Sequence, residues 1–255
     1  MATENAETSK RRIDELNGRG YRIIQDRDGF CFGQDAVLLS AFATVKEGER
    51  VIDLGTGTGV IPILLEAKTR GAHFTGLELQ REVADMAAES VELNGIGDRV
   101  DIVCGDIRQV RSLFKAGQFD VVTGNPPYKT CGSGLISPNE KKAISRTEIM
   151  CTLGEFAAAA AYLLPVGGRF YMVHRPGRLP DIFRELETKG FGIHFIRFVH
   201  PYEGRGANLV LVEGIRGAKN NPQVEPPLFM GRPDGSRTEE TEEIYFKEKL
   251  MDHAL

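Results

Sequence analysis

Between residues 50 and 125 the hydrophobic positions come in short unbroken blocks, and each block is followed by a stretch with helical spacing. RVIDL (50–54), HFTGLEL (73–79), DRVDIVCGD (98–106) and QFDVVTGN (118–125) read as strands. Residues 59–69 carry Val60, Ile61, Ile63, Leu64 and Leu65 on a helical stripe; 81–93 form a second helix closed by Asn94-Gly95, and 108–115 a short third one. Unbroken rather than alternating apolar strands, separated by helices, belong to a parallel sheet covered on both faces. Beyond residue 146 the spacing predicts a long apolar helix over 147–164, a strand at 169–174 and a helix at 179–188. Two further strands, 194–201 and 208–215, leave no room for a helix between them and pair antiparallel. The pattern predicts an α/β fold, a doubly wound, seven-stranded Rossmann-like sheet ending in a C-terminal antiparallel strand pair.

The flanks are less regular. Residues 1–20 read as a loose arm, 21–32 as a hairpin about Asp28-Gly29, and 34–44 as a helix, so that 21–45 precede the main alternation. The domain is expected to span 21–215, with 216–255 as an extension. Its Pro/Gly-rich part (217–236) would wrap the surface, and its acidic run, Glu239 to Glu243, would be a solvated segment. Residues 129–148 show no periodicity, and a connection that long in a compact α/β domain is usually functional.

Composition narrows the class. The 255 residues are 41% hydrophobic and 27% charged, ordinary for a globular domain. The longest apolar run, 156–164, is far short of a membrane helix, and the first residues lack the apolar core of a signal peptide; a cytoplasmic protein with no membrane contact is expected. Cys31, Cys104, Cys131 and Cys151 are widely spaced, without CxxC or Cys/His pairing, so neither disulfides nor a metal site is expected. The net charge of -4 means that any nucleic-acid role rests on a local basic patch. Monomer and homodimer both stay open.

Candidate chemistry begins at Asp53-Leu54-Gly55-Thr56-Gly57-Thr58-Gly59, a strand-to-helix junction. Glycines permit a tight turn and close approach of a ligand, and the helix N-terminus favours an anionic group. The spacing is GxGxG rather than the GxGxxG of dinucleotide sites, an acid precedes it directly, and no Gly-Lys-Ser/Thr follows, which excludes a P-loop. DLGTGTG instead resembles the S-adenosylmethionine loop of class I methyltransferases. Glu78, with Leu79 beside it, ends the second strand, where a carboxylate can accept from both ribose hydroxyls. Asp106 ends the third strand, placed to accept from an adenine amino group, with Ile107 packing on the ring. Three acids ending three successive parallel strands face one crevice, which makes S-adenosyl-L-methionine the expected cofactor.

The fourth strand runs into Asn125-Pro126-Pro127-Tyr128. An exocyclic amine is a poor nucleophile because its lone pair is delocalised into the ring. Two fixed acceptors on its N–H bonds pull the nitrogen toward tetrahedral geometry and aim the lone pair. Asn125 offers one acceptor, the Pro126 carbonyl the other, and Pro127 locks the backbone that presents it. Tyr128 can stack on a flipped base, worth on the order of 1–3 kcal/mol.

NPPY at this position resembles the amino-methyltransferases, whose targets include adenine N6, cytosine N4, guanine N2 and the amide of glutamine. FCFGQDAVLLSAFA resembles that superfamily's segment lining the methionine end of the cofactor, with Asp35 its acidic member; an N-terminal helix cap is the alternative for Asp35. IIQDRDGFCFGQDAVLL, GLELQ, GNPPYKT, NEKKAISRTE and HPYEGRGANLVLVEG together resemble the bacterial tRNA1(Val) adenine-37-N6 methyltransferase family over roughly residues 20–215. The resemblance implies a class I methyltransferase acting on tRNA. Methylation of guanine N2 in RNA, of a protein glutamine, or a non-catalytic RNA-binding role are the alternatives. RNA contacts are expected from Lys129, Lys141, Lys142 and Arg146 in the long loop, and from Arg175 and Arg205; Arg178, Arg197, Arg216 and Lys219 are further basic candidates on later loops. His174 and His200 are expected to be structural or RNA-contacting rather than general bases.

Overall fold

The computed structural model describes residues 11–16, 20–26, 32–126 and 151–246. The predicted alternation is present. Strands β3 (Arg50–Leu54), β4 (His73–Glu78), β5 (Val100–Cys104), β6 (Val121–Gly124) and β7 (Arg169–His174) are mutually parallel, in the order β5-β4-β3-β6-β7. β9 (Leu209–Arg216) then pairs antiparallel with β7, and β8 (Phe191–Tyr202) antiparallel with β9. These are the seven strands and C-terminal antiparallel pair expected. β3 is central, where the order reverses between β4 and β6, so the crevice beyond its C-terminal end is the topological switch point at which such sheets bind ligands.

Helices α1 (Gln34–Phe42), α2 (Val60–Lys68) and α3 (Arg81–Leu93) pack on one face, with Leu39, Ile63, Leu65 and Val91 buried there against Val51, Phe74 and Val121. After the short helix α4 (Val110–Leu113), α5 (Leu153–Leu163) and α6 (Leu179–Thr188) cover the other face, burying Phe156, Leu163, Ile182 and Leu186 against Ile52, Val122 and Phe170. The long apolar helix begins at Leu153 rather than at 147. Thr152 stops it with a capping box, its hydroxyl accepting from Glu155 N while Glu155 accepts from Thr152 N.

Three flank expectations change. Residues 11–16 are not a loose arm: β1 (Arg11–Leu16) pairs antiparallel with β2 (Tyr21–Asp26); the turn expected at Asp28-Gly29 lies outside the described residues. Alternation of Ile13 with charge was too weak to mark β1; it is held by β2, which docks on α3 through Ile24 N donating to Ser90 Oγ (3.0 Å) and Arg22 N to Asn94 Oδ1 (2.7 Å), and by the Arg11–Glu89 ion pair (2.7 Å). The Pro/Gly-rich extension does not merely wrap. β10 (Gln223–Val224) and β11 (Leu228–Gly231) each pair parallel with β8 and extend the sheet to nine strands. The acidic run is helix α7 (Glu239–Phe246), with Thr241 and Ile244 buried and Lys68 Nζ donating to Ile244 O (2.9 Å). Burial lowers the Lys68 pKa to about 8, and the carbonyl at the C-terminal end of α7 is the acceptor suited to its remaining charge.

Because Ile244 belongs to the main core, Ile244→Ala should cost about 2–4 kcal/mol and lower Tm by several degrees. An unchanged Tm in thermal unfolding would show α7 to be dispensable to the fold.

Candidate active site

The loop after β3 is shaped by its glycines: Gly55, Gly57 and Gly59 have φ of 69°, 58° and 85°, a region costly to residues with a Cβ. The loop is tied to the next strand, with Gly55 N and Thr56 N both donating to Leu77 O (2.8 and 3.0 Å). Gly59 is the N-cap of α2 and no side chain caps that helix, so its first amides are turned toward the crevice as donors for an anionic group.

Asp53 sits beneath this loop rather than in the crevice. It is 1% exposed and accepts from Thr123 Oγ1 at 2.7 Å, across the β3–β6 register. Burial, opposed by the Thr123 hydrogen bond and by the nearby Thr56 hydroxyl, raises its pKa to about 7. Asp53 Oδ2 and Thr56 Oγ1 are buried, and neither makes a well-formed hydrogen bond among the described residues. Two orphaned polar atoms under a glycine turn fit a site that a polar ligand completes.

Glu78 holds the loop from the side: Oε2 accepts from Gly57 N and Oε1 from Gln80 N, both at 2.9 Å. Asp106 follows the adjacent β5, where Gly105 N donates to Glu78 O (2.8 Å). Its carboxylate is gripped by Arg108, from Nη2 at 2.5 Å and from the backbone N at 2.9 Å, which depresses its pKa. The acid is where the sequence placed it, but a ligand amine must share it with Arg108. Of the two apolar neighbours, Ile107 is 6% exposed and packs into the core, whereas Leu79 is 36% exposed; Leu79 is the one with a face open to a ligand.

Across the loop stands Asn125, at the end of β6. One cleft is lined by Phe32, Gly33, the loop residues Gly55 to Thr58, and Asn125. Asn125 Nδ2 donates to Asp35 Oδ2 at 3.4 Å. Asp35 lies in the first turn of α1, not at its cap, because Gly33 holds the N-cap position without a side-chain bond. A Cβ on Gly33 would lie 2.2 Å from Asp35 Oδ1, so a larger residue there would displace that carboxylate. The structure therefore brings Asp35, the glycine loop, Glu78 and Asn125 together, with Pro126 next and buried. Pro127, Tyr128, Lys129, Lys141, Lys142 and Arg146 lie outside the described residues.

Two supporting residues were not singled out from sequence. Thr123 fixes Asp53, and Phe156 packs its ring on Gly124, within 3.2 Å of where a Cβ would be. Thr123 carried a signal as the single polar position in VVTG; Phe156 carried none, since its partner is set by how α5 lies on the sheet. His174 ends β7 buried, and burial lowers its pKa to about 4, so it is neutral at pH 7 and accepts from Arg175 N.

The basic candidates divide. Arg175 and Arg205 are exposed at the C-terminal edge of the sheet, the edge of Asn125. Arg216 ends β9 and Lys219 follows it; because β9 runs antiparallel to β7, both stand at the opposite edge. Arg197 is committed to the extension, donating to Pro226 O (3.0 Å) and Glu240 (2.5 Å). Arg178 is engaged by Asp181 at 2.7 Å.

Sheet order, glycine loop and acid set are those of a Rossmann-like methyltransferase. The chain belongs to the methyltransferase small domain family, which its residues 32–178 match, within the group of relatives named tRNA1(Val) (adenine(37)-N6)-methyltransferase. The relative of that name from Aeromonas salmonicida is 31% identical over 208 residues, covering 80% of this chain and 85% of its own. The one from Bacteroides fragilis is 29% identical over 168 residues, 66% and 69% of the two chains. Among solved structures, a predicted O-methyltransferase from Agrobacterium tumefaciens superposes with a TM-score of 0.68 at 21% identity, over 85% of this chain and 99% of that one; at this identity the likeness is one of fold.

Proposed function

We propose that this protein transfers a methyl group from S-adenosyl-L-methionine to N6 of an adenine in tRNA, position 37 of tRNA1(Val), in the cytoplasm. The observation that carries the reading is the Asn125–Asp35 pair beside the glycine loop. A carboxylate only accepts, so Asp35 draws Asn125 Nδ2 and turns Oδ1 away as the acceptor for an amine. Relatives that cover most of the chain are named for this reaction. When bound, the cofactor supplies an electrophilic methyl group on a sulfonium. The glycine loop and the uncapped start of α2 would hold its anionic end, Glu78 its ribose hydroxyls, and Asp106 its adenine. Asn125 Oδ1 and the Pro126 carbonyl would orient the substrate nitrogen, with Pro127 stiffening the backbone and Tyr128 as the stacking platform. No strong base is required, because the proton leaves after the nitrogen has become cationic; His174, buried and neutral, is not placed for the task. Residues 21–215 form the catalytic domain on this reading, with β1, β10, β11 and α7 added to it.

Nucleoside mass spectrometry tests it. tRNA from cells lacking the protein should lose N6-methyladenosine, and purified protein with S-adenosylmethionine should restore it; no change in either direction refutes the assignment. Asp35→Ala should lower kcat about tenfold through loss of amide orientation, with Asp35→Asn no better, since an amide no longer dictates which end of Asn125 faces it. Equal activity of Asp35→Ala and wild type would remove Asp35 from the mechanism.

A further inference from the structure

The sheet continues past the catalytic strands in the order β6, β7, β9, β8, with β11 on the outer side of β8. At about 4.8 Å per step, β11 lies about 19 Å from β6 along the same edge. The directions of these strands put three exposed arginines on the Asn125 side: Arg175 after β7, Arg205 in the turn between β8 and β9, and Arg232 directly after β11, whose Gly231 is paired with Tyr202. Tyr202 ends β8 and supports Arg205, whose guanidinium lies 5.5 Å from the ring centroid with Nε donating to the phenol oxygen at 2.7 Å. Arg175 Nη1 donates to Asn208 O at 3.0 Å, which keeps it at the start of β9, between Asn125 and Arg205.

We propose that Arg175, Tyr202, Arg205 and Arg232 form a lane that carries the RNA strand flanking the methylated base, from Asn125 out to the C-terminal extension. The inference rests on the RNA reading above and adds to it the path of the substrate and a role for the extension. Guanidinium groups at intervals along one edge match successive phosphates, and an arginine braced on an aromatic ring presents both charge and a stacking surface. Among the described residues beside these arginines, Asp234 and Glu203 both oppose a phosphate: Asp234 lies near Arg232 and stays ionised, accepting from Ser236 N (2.9 Å) and Oγ (2.7 Å), and Glu203 is exposed in the turn beside Arg205. Arg178 does not contribute, because Asp181 balances it.

The test is binding and methylation of an unmodified tRNA1(Val) transcript across a salt series. Arg175→Gln, Arg205→Gln and Arg232→Gln combined should flatten the slope of log affinity against log salt by about 2–3, nearly one per phosphate contact, and raise KM for the transcript at least tenfold, roughly, with the loss on KM rather than kcat. Glu203→Gln should tighten binding. Lys219→Gln, on the opposite edge, should change neither. A triple variant with wild-type slope and KM overturns the lane, as does an equal loss from Lys219→Gln. Wild-type protein that binds the transcript with the full slope but never methylates it would sink the proposed reaction and leave the lane standing.

Discussion

Asn125→Ala should abolish methylation, with kcat reduced by about 10³ or more, while affinity for S-adenosylmethionine, measured by calorimetry, stays within a few-fold of wild type. Removing one preorganised hydrogen-bond donor from a developing oxyanion costs about 10²–10³ in other enzymes; a fixed acceptor on a developing cation is the counterpart, and here the same residue also aims the lone pair. The cofactor contacts proposed for the glycine loop, Glu78 and Asp106 do not pass through Asn125, which stands at the end of β6 facing them. Substantial residual turnover would mean that the amine is oriented by other groups, and the two-acceptor mechanism would fail. A parallel collapse in cofactor affinity would instead make Asn125 part of the cofactor site.

Asp53 gives the second large effect, in stability. Its pKa is about 7 in the folded protein against 3.8 unfolded, because burial disfavours the charged form. Between these values the folded state binds the extra proton, so stability from this group is greatest below pH 4, falls as pH rises toward 7, and is flat above. Three units correspond to about 4 kcal/mol as an upper bound. His174 runs the other way: held neutral with a pKa near 4, it makes stability rise with pH up to its unfolded value near 6.5. The informative quantity is therefore the difference between wild type and Asp53→Asn. That variant should be more stable than wild type by a few kcal/mol at pH 8, and the gap should close by pH 4 in urea denaturation. A gap independent of pH would show that Asp53 ionises normally.

Such an arrangement makes sense for a binding loop. A buried acid with an oxygen that lacks a well-formed hydrogen bond lowers the stability of the folded chain directly beneath the loop proposed to hold the cofactor.

Much of this was legible in the chain. Unbroken apolar blocks only about five residues long, set between helical stretches, mark strands covered on both faces and so a parallel sheet; a two-stranded finish with no helix marks the antiparallel pair. The loop and its acids were readable because glycine and carboxylate at strand ends have few other reasons to recur. Short-range signals failed at the edges. β1 has no apolar pattern of its own and β11 is only a three-residue apolar block, Leu228 to Met230, among prolines and glycines; each pairs because a partner strand offers unpaired amides and carbonyls. The run from Glu239 to Glu243 looks solvated by charge, yet Thr241 and Ile244 on the same turn-spacing bury against the core, and that choice belongs to the packed state.

The sequence by itself determined the sheet and the glycine turn at its switch point, since both follow from local spacing and chemistry. Only the tertiary structure decided which of the basic side chains share an edge with Asn125. It also decided that Arg108 occupies Asp106, that Leu79 rather than Ile107 keeps an open face, and that Asp35 and Asn125 meet in a hydrogen bond across ninety residues of chain. Those are statements about strand direction and long-range contact, and no window of neighbouring residues contains them.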